Sequence, residues 1–159
     1  MERKAEVTRK TKETDISVIF NLDGCGKSNI KTGICFFDHM LEGFAKHGFF
    51  DLSVIVDGDL QVDGHHSVED AGIVLGTALK KALGDKSGIK RYGSCILPMD
   101  DALALCAVDL CGRPYFVFEC NFTAEKVGGL DTELVREFFY ALSYSACLLY
   151  TSPSPRDVE

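Results

Sequence analysis

The chain has 159 residues, 46% of them hydrophobic and 26% charged, with a formal net charge of −7. That length holds one domain with a real core and is short for two, and the apolar fraction excludes an intrinsically disordered chain. An acidic balance with no Lys/Arg cluster argues against nucleic acid or an anionic membrane as partner. The stretch Met1 to Lys10 carries mixed charge and lacks the apolar segment of a secretion signal. The longest uncharged run, Phe138 to Pro155, holds about a dozen mostly apolar residues, short of the roughly 20 that span a bilayer. A soluble, cytoplasmic protein is expected. The seven cysteines are odd in number, form no C-x-x-C pair and sit partly inside apolar runs. Free, buried thiols fit this pattern better than disulfides or a thiolate zinc site.

Ile16, Val18, Phe20 and Leu22 alternate with mostly polar residues, which predicts a strand with one buried face, ended by the turn Asp23-Gly24-Cys25-Gly26. From Phe36 the period changes: Phe37, Met40, Leu41 and Phe44 fall at helical spacing, with Gly48 as the stop. Leu52, Val54 and Val56 alternate again as a second strand closing in Asp57-Gly58-Asp59. A helix beginning near His65 carries Val68, Ala71, Leu75, Ala78, Leu79 and Leu83 inward and ends at Gly84. Gly88 to Gly93 reads as a loop. Beyond it, Leu103 to Leu110 is apolar on both faces, as in a strand buried between layers. Gly112-Arg113-Pro114 breaks that strand, and Tyr115 to Phe122 forms the next. Asp131 and Thr132 can cap a helix that buries Leu134, Phe138 and Leu142.

Strands interleaved with helices predict an α+β sandwich of sheet against helices. The order strand, helix, strand, helix restarts after Ser94. A weak internal match supports this: the segment from His39 to Phe44 aligns with Glu137 to Leu142, apolar positions in step. Thr151 to Glu159, with two prolines among serines, reads as a disordered tail.

The four histidines, His39, His47, His65 and His66, lie close together in the sequence. On a helix that starts at His65, Glu69 is its i,i+4 neighbour, while His66 points about 100° away. One face then offers imidazole and carboxylate to one divalent Mn, Fe, Co or Zn ion, and His66 serves a second ion or a neighbouring subunit. The plainer alternative is a solvated helix start decorated with histidines and acids; His39 and His47 on an adjacent helix favour the metal. Arg91 and Arg113 sit in glycine-flanked turns, which suits a phosphate or carboxylate ligand. No phosphate-cradling glycine loop is present.

The motifs Arg9-Lys10-Thr11-Lys12-Glu13-Thr14, Leu22-Asp23-Gly24, Thr32-Gly33-Ile34, Phe36-Phe37-Asp38-His39-Met40-Leu41 and His47-Gly48 occur in that order. Gly58-Asp59-Leu60, His65-His66-Ser67-Val68-Glu69-Asp70, Arg91-Tyr92-Gly93, Pro98-Met99-Asp100 and Gly112-Arg113-Pro114 follow. From about Arg3 to Leu149 the chain resembles the imidazoleglycerol-phosphate dehydratases. The resemblance implies dehydration of D-erythro-imidazole-glycerol phosphate to imidazole-acetol phosphate in histidine biosynthesis. It implies a homo-oligomer with a small phosphate substrate and two manganese ions per active site. It makes His39, His65, His66 and Glu69 metal ligands and gives His39, His65 and Glu69, with Glu13, catalytic positions, Glu13 placed for proton transfer. Substrate binding would involve those five residues together with His47, Arg91 and Arg113. In such chemistry a cation on the imidazole lets the ring expel hydroxide, a poor leaving group, while a carboxylate moves protons.

The resemblance further implies two similar half-domains, each a sheet packed on helices. Residues 1–93 would form the first, 94–150 an incomplete second and 151–159 a foreign tail. Members carry a second His-His-x-x-Glu motif that does not occur in these 159 residues, so a truncated fragment with little or no activity is expected, with Leu134, Phe138, Leu142 and the second sheet uncovered. Other departures are Asp101 for a usual Glu, Cys111 for Ser, and Glu137 where some members have a ligand His. A metallohydrolase and a non-catalytic metal-binding module are the competing readings.

Overall fold

The computed structural model describes residues 2–151. Along the chain run β1 (Lys4–Lys10), β2 (Thr14–Asn21), β3 (Ser28–Lys31), α1 (Cys35–Gly48), β4 (Asp51–Gly58) and α2 (His65–Leu83). A second series follows: β5 (Tyr92–Met99), β6 (Ala102–Asp109), β7 (Tyr115–Val117), β8 (Lys126–Val127), β9 (Leu130–Asp131), α3 (Glu133–Ala146) and β10 (Leu149–Thr151). The architecture is α+β. The strand order β1-β2-β4-β3 in one sheet is matched by β5-β6-β10-β7 in the other, and β8-β9 is a small ribbon inserted before α3. In each four-stranded sheet the edge strand β3 or β7 is parallel to its neighbour, and the other pairings are antiparallel.

The two halves repeat down to single hydrogen bonds. Leu22 N–H donates to Arg3 O in the first half, and Leu110 N–H to Arg91 O in the second. α1 ends on Phe49 in the left-handed region (φ 56°), followed by a Phe50 N–H bond to Ala45 O. α3 ends on Cys147 (φ 53°), followed by Leu148 N–H to Ser143 O. These equivalences set α1 on α3 in the same register as the internal sequence match, with His39 opposite Glu137. The left-handed stop of α1 thus falls on Phe49, one residue past the expected Gly48.

The core lies on the inner face of the first sheet. Ile16, Val18 and Phe20 from β2 and Leu52, Val54 and Val56 from β4 meet Val68, Ala71, Val74, Leu75 and Ala78 from α2. α1 adds Phe37, Leu41 and Ala45, while α3 adds Leu134 and Phe138. Burying these side chains supplies the main stabilisation, since each fully buried aliphatic or aromatic group contributes about 1.5–3 kcal/mol. α3 comes unusually close to α2. A Cβ on Gly72 would stand 2.7 Å from Phe138 O, and one on Gly76 would stand 2.6 Å from Leu142 O. Only glycine allows that approach, and it fixes the helix that carries the histidines.

Several expectations need correction. Leu134 and Phe138 are buried rather than uncovered, because α3 seats Phe138 edge-on against Phe37 at 5.2 Å. β6 is not sandwiched between layers: Leu103 is 71% exposed. The main helix contact on the second sheet is α3 against β7, so the β5–β6 ribbon has apolar residues on open faces. The loop expected over Gly88 to Gly93 ends earlier, because Tyr92 and Gly93 already belong to β5, and the strand at Tyr115 is only three residues long. Thr151 belongs to β10, paired with Ala107 and Val117, rather than to a tail, its β-branched side chain suiting the ladder; the remainder of the expected tail lies outside the described residues. All seven cysteines are free, as expected, but none is buried. Among the described residues no helix is long and apolar enough to cross a membrane.

Candidate metal centre and substrate site

α2 starts without a capping side chain on Gly64; instead Asp63 Oδ1 accepts the His65 N–H at 2.8 Å. This start places His65 and Glu69 one turn apart with Nε2 and Oε2 3.2 Å from each other. Their side chains are 44% and 40% exposed, open enough to take an outside ligand. The His66 ring is 6.1 Å from the His65 ring with the planes at 88°, so the two imidazoles face different directions. His66 Nδ1 lies 2.9 Å from Asp59 Oδ2, just past the end of β4. That bond, the charge of Asp59 and the further charges of Glu13 and Asp63 raise the His66 pKa, against a smaller lowering from burial.

Glu13 stands exposed on the turn between β1 and β2. Thr11 Oγ1 shapes the turn by accepting the N–H groups of Glu13 (3.1 Å) and Thr14 (3.0 Å). Two further contacts tie it to the histidine helix. Asp59 N–H donates to Glu13 O at 3.1 Å, and Thr14 Oγ1 donates to buried Asp70 Oδ2 at 2.5 Å. Asp70 also pairs with Arg9 Nη1 at 2.5 Å. The acid next to Glu69 in sequence therefore turns inward and holds the hairpin while Glu69 turns outward.

His39 and His47 lie exposed on α1, with the His39 ring 6.5 Å from Phe36. Neither joins His65, His66 and Glu69: among the described residues no group of three or more His, Cys, Asp or Glu side chains gathers as a metal cage. Within one chain the donor set is thus the His65–Glu69 pair, with His66 beside it. The arginines belong to the second half. Arg91 forms a two-pronged pair with Asp109, Nε to Oδ1 at 2.6 Å and Nη2 to Oδ2 at 3.0 Å, and its guanidinium lies 4.9 Å over the Tyr92 ring. The Arg91 bond, and then the charges of Arg91 and Arg113, hold the Asp109 carboxyl below its usual range. Both arginines therefore flank one aspartate at the end of β6.

Asp59, Asp70, Thr14 and Asp109 escaped the residue-type argument. Asp59 and Asp70 stood inside quoted motifs, yet nothing in their spacing says which faces a histidine and which faces an arginine.

The sequence model of the imidazoleglycerol-phosphate dehydratase family matches residues 32–150. The imidazoleglycerol-phosphate dehydratase of Lachnoclostridium phytofermentans is 63% identical over 146 residues, covering 92% of this chain and 74% of that protein. The enzyme of the same name from Acetivibrio thermocellus is 61% identical, covering 92% and 75%. Among solved structures, the dehydratase of Staphylococcus aureus superposes with a TM-score of 0.82 at 38% identity, over 92% of this chain and 81% of that one. That of Pyrococcus furiosus, solved with (S)-C348, gives 0.77 at 37% identity over 91% and 76%. Fold, motif order and these similarities agree, and the chain belongs to the imidazoleglycerol-phosphate dehydratase family, hydro-lyases of histidine biosynthesis.

Proposed function

We propose that this chain takes D-erythro-imidazole-glycerol phosphate as substrate and removes water from it to give imidazole-acetol phosphate in the cytoplasm, with Mn2+ as cofactor. The observation that carries the proposal is the His65–Glu69 pair at 3.2 Å, set beside His66 and the Glu13 turn. An imidazole nitrogen and a carboxylate oxygen converging from one helix face suit a divalent transition ion, although the donor types alone do not select manganese. His65, His66 and Glu69 would hold such ions, with His39 contributing from its separate helix. When bound, a divalent cation supplies Lewis acidity at the substrate's imidazole and hydroxyl.

The chain's own groups do the rest. Glu13, exposed and anchored through its backbone, moves a proton to or from the substrate. Arg91, kept oriented by Asp109, and exposed Arg113 offer guanidinium donors to the phosphate. His47, exposed on α1, would contribute to substrate binding. Because two donors gather within one chain, donors from another copy complete each centre, and a homo-oligomer is the working form. An isolated chain holds metal weakly and turns over slowly.

The same two-donor geometry favours one second reading, a non-catalytic metal-binding module. Product formation followed by 31P NMR with Mn2+ separates the two. Dehydration that Glu69→Gln lowers at least about 100-fold, the scale of a lost acid–base or ligand group, supports the first reading. Mn2+ binding with no product at any protein concentration supports the second.

A further inference from the structure

We propose that Asp59 is a positioning residue: it fixes the His66 imidazole with its proton on Nδ1 and leaves Nε2 free to meet a ligand. The Asp59 side chain is only 16% exposed, and its Oδ2 lies 2.9 Å from His66 Nδ1. Its other oxygen, Oδ1, is buried with no hydrogen-bond partner among the described residues, so the imidazole is the one side chain that answers this carboxylate. A carboxylate can only accept, and the nitrogen facing it must carry the hydrogen. A neutral histidine side chain in water prefers the proton on Nε2, so this contact selects the less common tautomer.

The Asp59 backbone is held in place. Its N–H is bonded to Glu13 O at 3.1 Å, and its carbonyl accepts Val62 N–H at 2.8 Å, closing a turn between β4 and α2. The adjacent histidine is held the other way round: His65 engages Glu69 through Nε2. Neighbouring imidazoles on one helix turn thus present opposite nitrogens. Asp59 contributes twice, through its backbone to the turn bearing Glu13 and through its side chain to the ring of His66. The two groups therefore keep a fixed spacing. What Nε2 faces rests on the metal-ligand reading above; the tautomer does not.

The test is ring 15N NMR of the whole chain labelled at histidine, where only four ring systems occur and His66→Gln identifies the signal of interest. At alkaline pH, where the ring is neutral, His66 is expected with Nδ1 protonated and Nε2 bare, while exposed His47 shows the ordinary preference. Asp59→Ala should return His66 to the pattern of His47, and Asp59→Asn, whose amide oxygen still accepts, should retain the Nδ1 proton. A wild-type His66 protonated on Nε2, or an Asp59→Ala chain with an unchanged His66, overturns the proposal. The wild-type spectrum decides alone if the alanine variant fails to fold. Added Mn2+ should broaden His66 Nε2 first, with about 10-fold more metal needed in Asp59→Ala, the usual scale for a residue that orients a ligand. If Mn2+ leaves His66 untouched while the tautomer is as stated, the positioning role stands and the metal assignment falls.

Discussion

Replacing Gly76 by alanine puts a methyl group where α2 and α3 touch through their backbones. The new Cβ would meet Leu142 O at 2.6 Å, Ser145 Cβ at 2.9 Å and Ala146 N at 3.0 Å, against ordinary contact that begins at 3.4 Å. Two of these three atoms are backbone, so relief requires moving α3 and not a rotamer change. Overpacking of this kind costs about 1–3 kcal/mol. The gain in helix propensity from Gly to Ala, up to about 1 kcal/mol, offsets part of it. The net expectation is a loss of about 1–2 kcal/mol, a fall in Tm of roughly 2–8 °C for a domain of this size. Gly43 supplies the control: in α1, with nothing within 4 Å of its added Cβ, Gly43→Ala should stabilise by up to about 1 kcal/mol. Urea unfolding followed by far-UV circular dichroism reads both, as midpoints that move in opposite directions with an unchanged slope. If Gly76→Ala unfolds at the same urea concentration as Gly43→Ala, or above it, α3 does not rest on α2 as described. The histidine helix is then not held by that contact.

Asp70→Ala removes the acceptor of the Thr14 hydroxyl and the ion-pair partner of Arg9; stability should fall by about 2–3 kcal/mol, the cost of leaving such partners unpaired. Broadening of the Glu13 amide signal in the same variant would show the hairpin loosened. Asp23, bonded to the Arg3 side chain and N–H, has its pKa lowered from 3.8 to about 2 in the folded chain. A depressed folded value gives stability that is complete above the unfolded pKa and disappears as pH falls through the folded one. Unfolding midpoints should therefore drop between about pH 4 and pH 2, and Asp23→Asn should flatten that limb; an unaltered pH profile in the variant would remove Asp23 from the acid response.

The period of apolar residues made β2, α1, β4 and α2 readable, because each buries one face on the first sheet and polar residues mark the other. β1 was hidden: Lys4 to Lys10 is an edge strand whose inner face, Ala5, Val7 and Arg9, is short and partly polar. β5 was hidden for the opposite reason, with Gly93 and Pro98 inside it and apolar residues on both faces. In the site, the His65–Glu69 pair followed from helical spacing alone, a local rule. The Asp59–His66 and Arg91–Asp109 contacts depend on where a strand ends against a helix and on the β5–β6 register, which no local pattern encodes. Family resemblance named the motif around Asp59 but not the nitrogen that it holds.

β10 enters the second sheet between β6 and β7 and, among the described residues, supplies the only ladder that β7 has. That gives the fold a timetable. The β5–β6 hairpin closes locally and soon after synthesis, whereas β7 must wait, unpaired, for three residues that leave the ribosome more than a helix later. Until then, Tyr115 to Val117 is an open strand edge in the company of exposed Ile96, Leu97 and Leu103. The yield of correctly folded chain should thus depend on how quickly β10 arrives, and slower translation or lower temperature should act on this half before it touches the first.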